Sequence, residues 1–139
     1  MTTARDIMTP GAVCVRASDT AYDAAKLMAA NDIGALPICG EDNRLKGMLT
    51  DRDILVRVIA EGKEARAVHA SELAQGHTIT IDEDADVTDV LRTMKEHQIR
   101  RLPVLDGNHG LVGMIAQADV ARAVNDSDVG EVVDAISRD

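Results

Sequence analysis

The sequence predicts an α+β fold made of two tandem β-α-β-β-α repeats related by pseudo-twofold symmetry. The first observation behind this is an internal repeat. Ile33-Gly34-Ala35-Leu36-Pro37-Ile38 is answered by Ile99-Arg100-Arg101-Leu102-Pro103-Val104, and Gly47-Met48-Leu49-Thr50-Asp51-Arg52-Asp53 by Gly113-Met114-Ile115-Ala116-Gln117-Ala118-Asp119. Pro37 to Pro103 and Asp53 to Asp119 share one offset of 66 residues, so the register holds without a gap. The second observation is that short β-branched runs alternate with stretches of helical apolar spacing within each copy. The third is length: 139 residues suit one compact domain or two fused halves, each half too small to bury its apolar face alone.

The elements follow in order. Ala12–Val15 reads as a short strand. Ser18-Asp19-Thr20 offers helix N-caps, and Thr20 with Asp23 forms a capping-box pattern ahead of a helix over Ala21–Asn31. Ala24, Leu27 and Met28 form its apolar stripe. Ala35–Cys39 is a strand whose internal Pro37 predicts an edge position or the mouth of a site. Gly40–Arg44 is a turn, Leu45–Leu49 a strand, and Thr50–Ala60 a helix. The second copy repeats the order with a strand at Thr78–Ile81, a helix at Val87–His97, strands at Arg101–Leu105 and Leu111–Ile115 around the Asp106–Gly110 turn, and a helix at Gln117–Val124. The stripe of its first helix is Val87, Val90, Leu91 and Met94. The boundaries expected are 6–62 for the first repeat, 69–125 for the second, and 126–139 for an extension. Glu61–Ser71 is a partly helical linker, and Val129, Val132, Val133 and Ile136 give the extension helical spacing.

Composition narrows the function. The net charge of −9 opposes general binding to a nucleic-acid backbone. No apolar run reaches the roughly 18 residues of a membrane span, and no signal-peptide pattern opens the chain, so the expectation is a cytoplasmic protein that binds neither membrane nor nucleic acid. Tyr22 is the only aromatic residue, which leaves the core to Val, Ile, Leu, Met and Ala. Cys14, Cys39, His69, His77, His97 and His109 have no metal-ligand spacing, so no metal site is expected. Nor does local spacing give a Ser/His/Asp or Cys/His arrangement, and the expectation is a protein without catalytic activity.

Gly47–Asp53 carries the clearest chemistry. A strand ends at Leu49 and a helix starts with Thr50 as N-cap, where free N–H groups favour anions. Asp53, one turn in, presents two acceptor oxygens suited to the vicinal hydroxyls of a ribose. Thr50-x-x-Asp53 is also a capping box, which needs no ligand. In the second copy Asp119 recurs while the cap position is Ala116. Alanine cannot cap through its side chain, so capping leaves the recurrence of the aspartate unexplained; a shared ribose task would explain it, as would descent alone.

The doubled β-α-β-β-α unit, the strand ending in Leu-Pro-Ile or Leu-Pro-Val, and the Gly-x-x-Thr-x-x-Asp turn resemble a pair of CBS domains across roughly residues 6–124. Thr2–Met8, Asp32–Gly40 and Gly47–Ile54 resemble the small stand-alone pairs of the hypoxic response protein type. The resemblance implies adenosine-containing ligands in two clefts, each walled largely by the other repeat. It implies ribose binding by Asp53 and Asp119, and phosphate binding by Thr50, Arg100 and Arg101. One cleft would join Thr50 and Asp53 to Arg100, Arg101 and Pro103; the other would join Asp119 to Gly34, Ala35 and Pro37, with Thr20 and Ala25 nearby. Without an aromatic platform, adenine would lie between aliphatic walls such as Ile33, Leu36, Ile99 and Leu102. Because Ala116, Gly34 and Ala35 replace a hydroxyl and two guanidinium groups, the Asp53 cleft is expected to be the better site.

The expected function is therefore a stand-alone, non-catalytic stress-response sensor. It would need no cofactor, bind AMP, ATP or S-adenosylmethionine, form a homodimer through its helices, and act on an unidentified regulated protein. Two alternatives stand beside it. One is an interaction module without nucleotide. The other is a thiol-disulfide response at Cys14 and Cys39, which fall on neighbouring parallel strands of such a fold and whose counterparts are Thr80 and Leu105.

Overall fold

The computed structural model describes residues 2–74 and 78–123, and the expected helical extension lies outside them. The chain divides into two compact units: one holds the described residues from Val13 to Thr78, the other those up to Ala12 together with those from Ile79 onward. The first unit contains β2 (Val15–Arg16), α2 (Ala21–Asn31), β3 (Ala35–Cys39), β4 (Leu45–Thr50), α3 (Asp51–Ile54) and α4 (Ala70–Leu73). The second contains α1 (Ala4–Ile7), β1 (Thr9–Pro10), β5 (Ile81–Asp82), α5 (Val87–His97), β6 (Arg101–Leu105), β7 (Leu111–Ala116) and α6 (Gln117–Ala123).

Each unit is a small mixed sheet with helices packed on it. β2-β3-β4 form one sheet, β2 parallel and β4 antiparallel to β3. The other sheet runs β1-β7-β6-β5, with β5 parallel to β6 and the remaining pairs antiparallel. Leu36, Ile38, Leu49, Val58, Ala24 and Met28 centre the first core, and Leu102, Val104, Ile115, Val120, Val90 and Met94 the second. The helices at Ala21–Asn31 and Val87–His97 occupy the expected ranges. Both end on a left-handed residue, Asp32 (φ 53°) and Gln98 (φ 51°), and the hairpin turns place Asn43 (φ 63°) and His109 (φ 64°) the same way, so the backbone keeps the 66-residue register.

Several elements differ from the sequence reading. The first strand of each copy is only two residues long and lies further along, at Val15–Arg16 and Ile81–Asp82, because it pairs only with the last two residues of Ile38–Cys39 and Val104–Leu105. The helix expected over Thr50–Ala60 is α-helical only to Ile54. Beyond it the turns widen over Leu55–Ile59, where the Ala60 N–H reaches back five residues to the Leu55 carbonyl at 2.9 Å.

Pro37 and Pro103 sit on inner strands rather than at an edge. The Asp51 N–H donates to the Gly34 carbonyl (2.9 Å), which makes Ala35–Thr50 a non-hydrogen-bonded pair. By alternation Pro37–Met48 is another such pair, so the missing N–H faces the side where β2 pairs only from Ile38 onward. Gln117 N–H to the Arg100 carbonyl (3.1 Å) sets the same arrangement around Pro103.

The segments leading into each copy, which by sequence are only a start and a linker, form short helices that cap the two bodies. Residues 2–12, of which 6–12 are assigned by sequence to the first repeat, pack with the second copy. Ala4 N–H donates to the Ala85 carbonyl (2.8 Å), Arg5 N–H to Glu83 (3.0 Å), and Val87 N–H to Thr2 (2.9 Å). The matching bonds, 66 residues apart, are Ala70 to Asp19 (2.7 Å), Ser71 to Ala17 (3.1 Å), and Ala21 to Val68 (2.8 Å). Thus α1 closes the body of the second copy and α4 closes the body of the first. Each drives two apolar residues into the core it closes, Ala4 with Ile7 and Ala70 with Leu73. The linker turn at Ala65–Ala67 is tied to α2 by Arg66, whose guanidinium lies 3.9 Å over the Tyr22 ring.

Gly113 lets the N-terminal segment lie against β7. A Cβ there would fall 2.8 Å from the Thr9 carbonyl and 2.5 Å from the Met8 sulfur. Gly113→Ala is expected to cost about 1–3 kcal/mol in urea unfolding through overpacking against main chain. Gly107→Ala, where a Cβ meets nothing within 4 Å, should be close to neutral.

Candidate functional site

The candidate residues gather at corresponding hairpin ends of the two units. In the first unit Ala35 pairs with Thr50, and Gly34 lies so close to Asp51 that a Cβ would come within 3.2 Å of its carboxylate. Thr50 is the N-cap of α3. Its hydroxyl accepts the Asp53 N–H (3.1 Å), and the Asp53 carboxylate accepts the Thr50 N–H (2.9 Å). Thr50 and Asp53 are half-buried. This end therefore carries two carboxylates, Asp51 and Asp53, and one hydroxyl.

In the second unit Arg101 pairs with Ala116. Arg100 and Arg101, both exposed, line an open pocket of about 490 Å³ with Ala116, Gln117, Ala118 and Ala121. The three alanines leave the space, and the two guanidinium groups give it positive charge. Gln117 stands where the first unit has Asp51, so the two ends have opposite electrostatic character: one rich in acceptors, the other cationic.

Asp119 is buried more deeply than the half-buried Asp53. It is 6% exposed, and both carboxylate oxygens are engaged. Oδ2 accepts the Ala116 N–H at 2.7 Å, while Oδ1 accepts the Thr9 hydroxyl at 3.3 Å and pairs with Arg122. This corrects the capping argument. The half of the capping box that survives at Ala116 needs no hydroxyl, because the carboxylate three residues into the helix reaches back to the N–H at its start. The recurrence of the aspartate is thereby accounted for by helix initiation. The same device recurs at Thr3–Asp6 (2.9 Å), Thr20–Asp23 (3.0 Å) and His69–Glu72 (2.7 Å).

The remaining candidates divide between wall and core. Pro37 and Pro103 are buried in their sheets, and Leu36 and Leu102 are fully buried core. Ile33 and Ile99 are half-buried and pack against the two cores. Thr20 caps α2 by accepting the Asp23 N–H (3.1 Å), and Ala25 is exposed on that helix. Cys14 and Cys39 stand as free thiols in this structure, their side chains in hydrogen-bond contact. Cys39 is buried, and burial pushes its thiol up to about 12, with the neighbouring Cys14 thiol adding to the effect. Among the described residues no three His, Cys, Asp or Glu side chains converge as metal ligands, and no helix is long and apolar enough to cross a membrane.

A doubled sheet-and-helix unit with a Thr-x-x-Asp helix start after its last strand defines the class. The chain belongs to the CBS-domain family, whose model matches residues 4–60 and 70–126; CBS domains are regulatory modules, and no catalytic family is indicated. The chain is 46% identical to hypoxic response protein 1 of Mycobacterium tuberculosis over 98% of its length and 94% of that protein's. A crystal structure of hypoxic response protein I with two coordinated zinc ions matches with a TM-score of 0.80 and 48% identity, covering 88% of this chain and 99% of that one. CBSX2 in complex with AMP matches with a TM-score of 0.75 and 25% identity, covering 88% and 96%.

The helix-start carboxylates set an acid limit on stability. The Thr3 and Thr20 N–H groups, then their hydroxyls, hold Asp6 and Asp23 below the ordinary carboxylate value of 3.8, and the Arg44 N–H does the same for Asp42. Lowered folded values stabilise above the unfolded value, and that stabilisation is lost as pH falls through the folded one. The melting temperature is expected to hold from neutral pH down to about 5 and to fall below about 4, with a shallower fall in Asp6→Asn/Asp23→Asn.

Proposed function

We propose that the chain is a non-catalytic sensor of adenine nucleotides, with Thr50 and Asp53 at the ribose and Arg100 and Arg101 at the phosphates. The observation that carries this reading is the pair of unlike hairpin ends: an acceptor-rich end at Thr50–Asp53 and a cationic pocket of about 490 Å³ at Arg100–Arg101. Carboxylate acceptors suit the hydroxyl donors of a ribose, and guanidinium groups suit the anion of a nucleoside phosphate. A relative of the same fold is solved in complex with AMP, and a near-full-length relative is named for the hypoxic response, which supports a role under stress.

Titration calorimetry with ATP, AMP and adenosine tests the assignment. Arg100→Ala/Arg101→Ala is expected to weaken ATP about 10- to 100-fold, the scale of one or two charge-assisted bonds, and to leave adenosine unchanged. Asp53→Asn should weaken all three. If none of the three binds the unmodified protein, or if the arginine pair proves irrelevant to ATP, the nucleotide reading is wrong and the interaction-module reading takes its place.

We also propose that the sensor is a homodimer through the helix at residues 51–60. One side of it is buried through Ile54 and Val58, while Leu55 (60% exposed), Val56 (42%) and Ile59 (56%) form a second apolar stripe facing outward. Light scattering should give twice the chain mass for the unmodified protein and the single-chain mass for Leu55→Asp/Ile59→Asp. A single-chain mass for the unmodified protein excludes the dimer.

A further inference from the structure

We propose that the chain's own acidic C-terminal segment occupies the cationic pocket at Arg100 and Arg101 and must leave it before a phosphate can enter. The occupancy stands on the second unit alone, while the competition rests on the nucleotide reading above. The pocket of about 490 Å³ is lined by the two guanidinium groups and by Ala116, Gln117, Ala118 and Ala121, with no carboxylate among them. Arg101 is exposed and has no ion pair among the described residues. Gln117, Ala118 and Ala121 belong to α6, and residues 124–139 follow directly on that helix. In that stretch Asp126, Asp128, Glu131, Asp134 and Asp139 stand against one base, Arg138. The element that walls the positive pocket is thus the one that carries the negative segment.

The reach is short. From Ala123 back to Gln117 is about 9 Å along the helix axis. Asp126 lies three residues beyond Ala123 and Asp128 five, extended spans of about 10 and 17 Å. Either carboxylate can therefore turn back onto the guanidinium groups. Tethered through so few residues, it acts at an effective concentration of about millimolar. An exposed carboxylate–guanidinium pair is individually weak, so the segment yields to a ligand that brings several phosphate oxygens at once. A nucleotide then meets a pocket that is open for only part of the time, and its apparent affinity falls by the open fraction. A nucleoside without phosphate does not contend with the segment. The consequence for a sensor is a raised threshold for phosphorylated ligands alone.

Asp126→Asn/Asp128→Asn/Glu131→Gln keeps the full chain and removes three of the five acids. Two readouts follow: the side-chain Nε–Hε NMR signals of Arg100 and Arg101 without ligand, and calorimetric titration with ATP and with adenosine. The arginine signals are expected to move from their positions in the unmodified protein. ATP should bind about three- to tenfold more tightly, and adenosine as before. Within Arg100→Ala/Arg101→Ala the same three substitutions should leave ATP affinity unaltered. Glu41→Gln/Glu61→Gln/Glu64→Gln removes equal charge from exposed places in the first unit. An equal gain in ATP affinity there would assign the effect to bulk charge and overturn the proposal. So would loss of the effect in the single-chain Leu55→Asp/Ile59→Asp background, which would hand the pocket to the segment of a second copy. Unmoved arginine signals with unchanged ATP affinity overturn the segment's role and leave the nucleotide reading intact. Moved signals without ATP binding in either protein keep the segment in the pocket and overturn the nucleotide reading, and the competition with it.

Discussion

A carboxylate placed three residues into a helix, turned back to accept the first N–H, is the constraint on which this structure depends. It starts α1, α2, α3, α4 and α6 through Asp6, Asp23, Asp53, Glu72 and Asp119. Two of these helices, α1 and α4, are isolated single turns of four residues, too short to be stable by propensity, whereas the four-residue α3 runs on into the wider turns of Leu55–Ile59. They exist because the cap satisfies one orphan donor while Ala4, Ile7, Ala70 and Leu73 are buried. The short helices in turn close the two cores. Removing the acids would therefore unseat the elements that seal each sheet, well beyond the local loss of a surface hydrogen bond.

That device also separates what the sequence told truthfully from what it could not. The doubled architecture was legible because the prolines, the glycine-led turns and the helical stripes all repeat at one interval, and every one of these has a structural cause. The two eleven-residue helices were legible in full because cap, stripe and length agree. The lead segments were not. Thr3–Asp6 and His69–Glu72 carry the same signature at the same interval, but four-residue helices leave no periodicity to read. Their partners lie far along the chain, and nothing local in residues 2–12 announces that they belong with the second copy.

The candidate site shows the opposite kind of limit. Asp53, Thr50, Arg100 and Arg101 could be picked from residue type and spacing. The engagement of Asp119 by Thr9 and Arg122 could not, since Thr9 lies far from it along the chain. The inference from Ala116 failed for a definable reason: it treated the capping box as one interaction when it is two, and only one of them needs the hydroxyl. The contrast between Gly34 beside Asp51 and Arg100 beside Gln117 was present in the sequence as an unequal repeat. The structure turns that inequality into two ends of opposite charge.

The exchange of lead segments has a consequence for how the chain is made. The unit spanning residues 13–78 is contiguous, so all its parts leave the ribosome together and it can close during synthesis. The other unit needs the first dozen residues and the last stretch of the chain at once. Its N-terminal piece is translated before the whole of the contiguous unit and must wait until the sheet it belongs to has emerged. Vectorial synthesis thus gives the two repeated halves different histories, with the second completed later and closed by a segment made before the first half began.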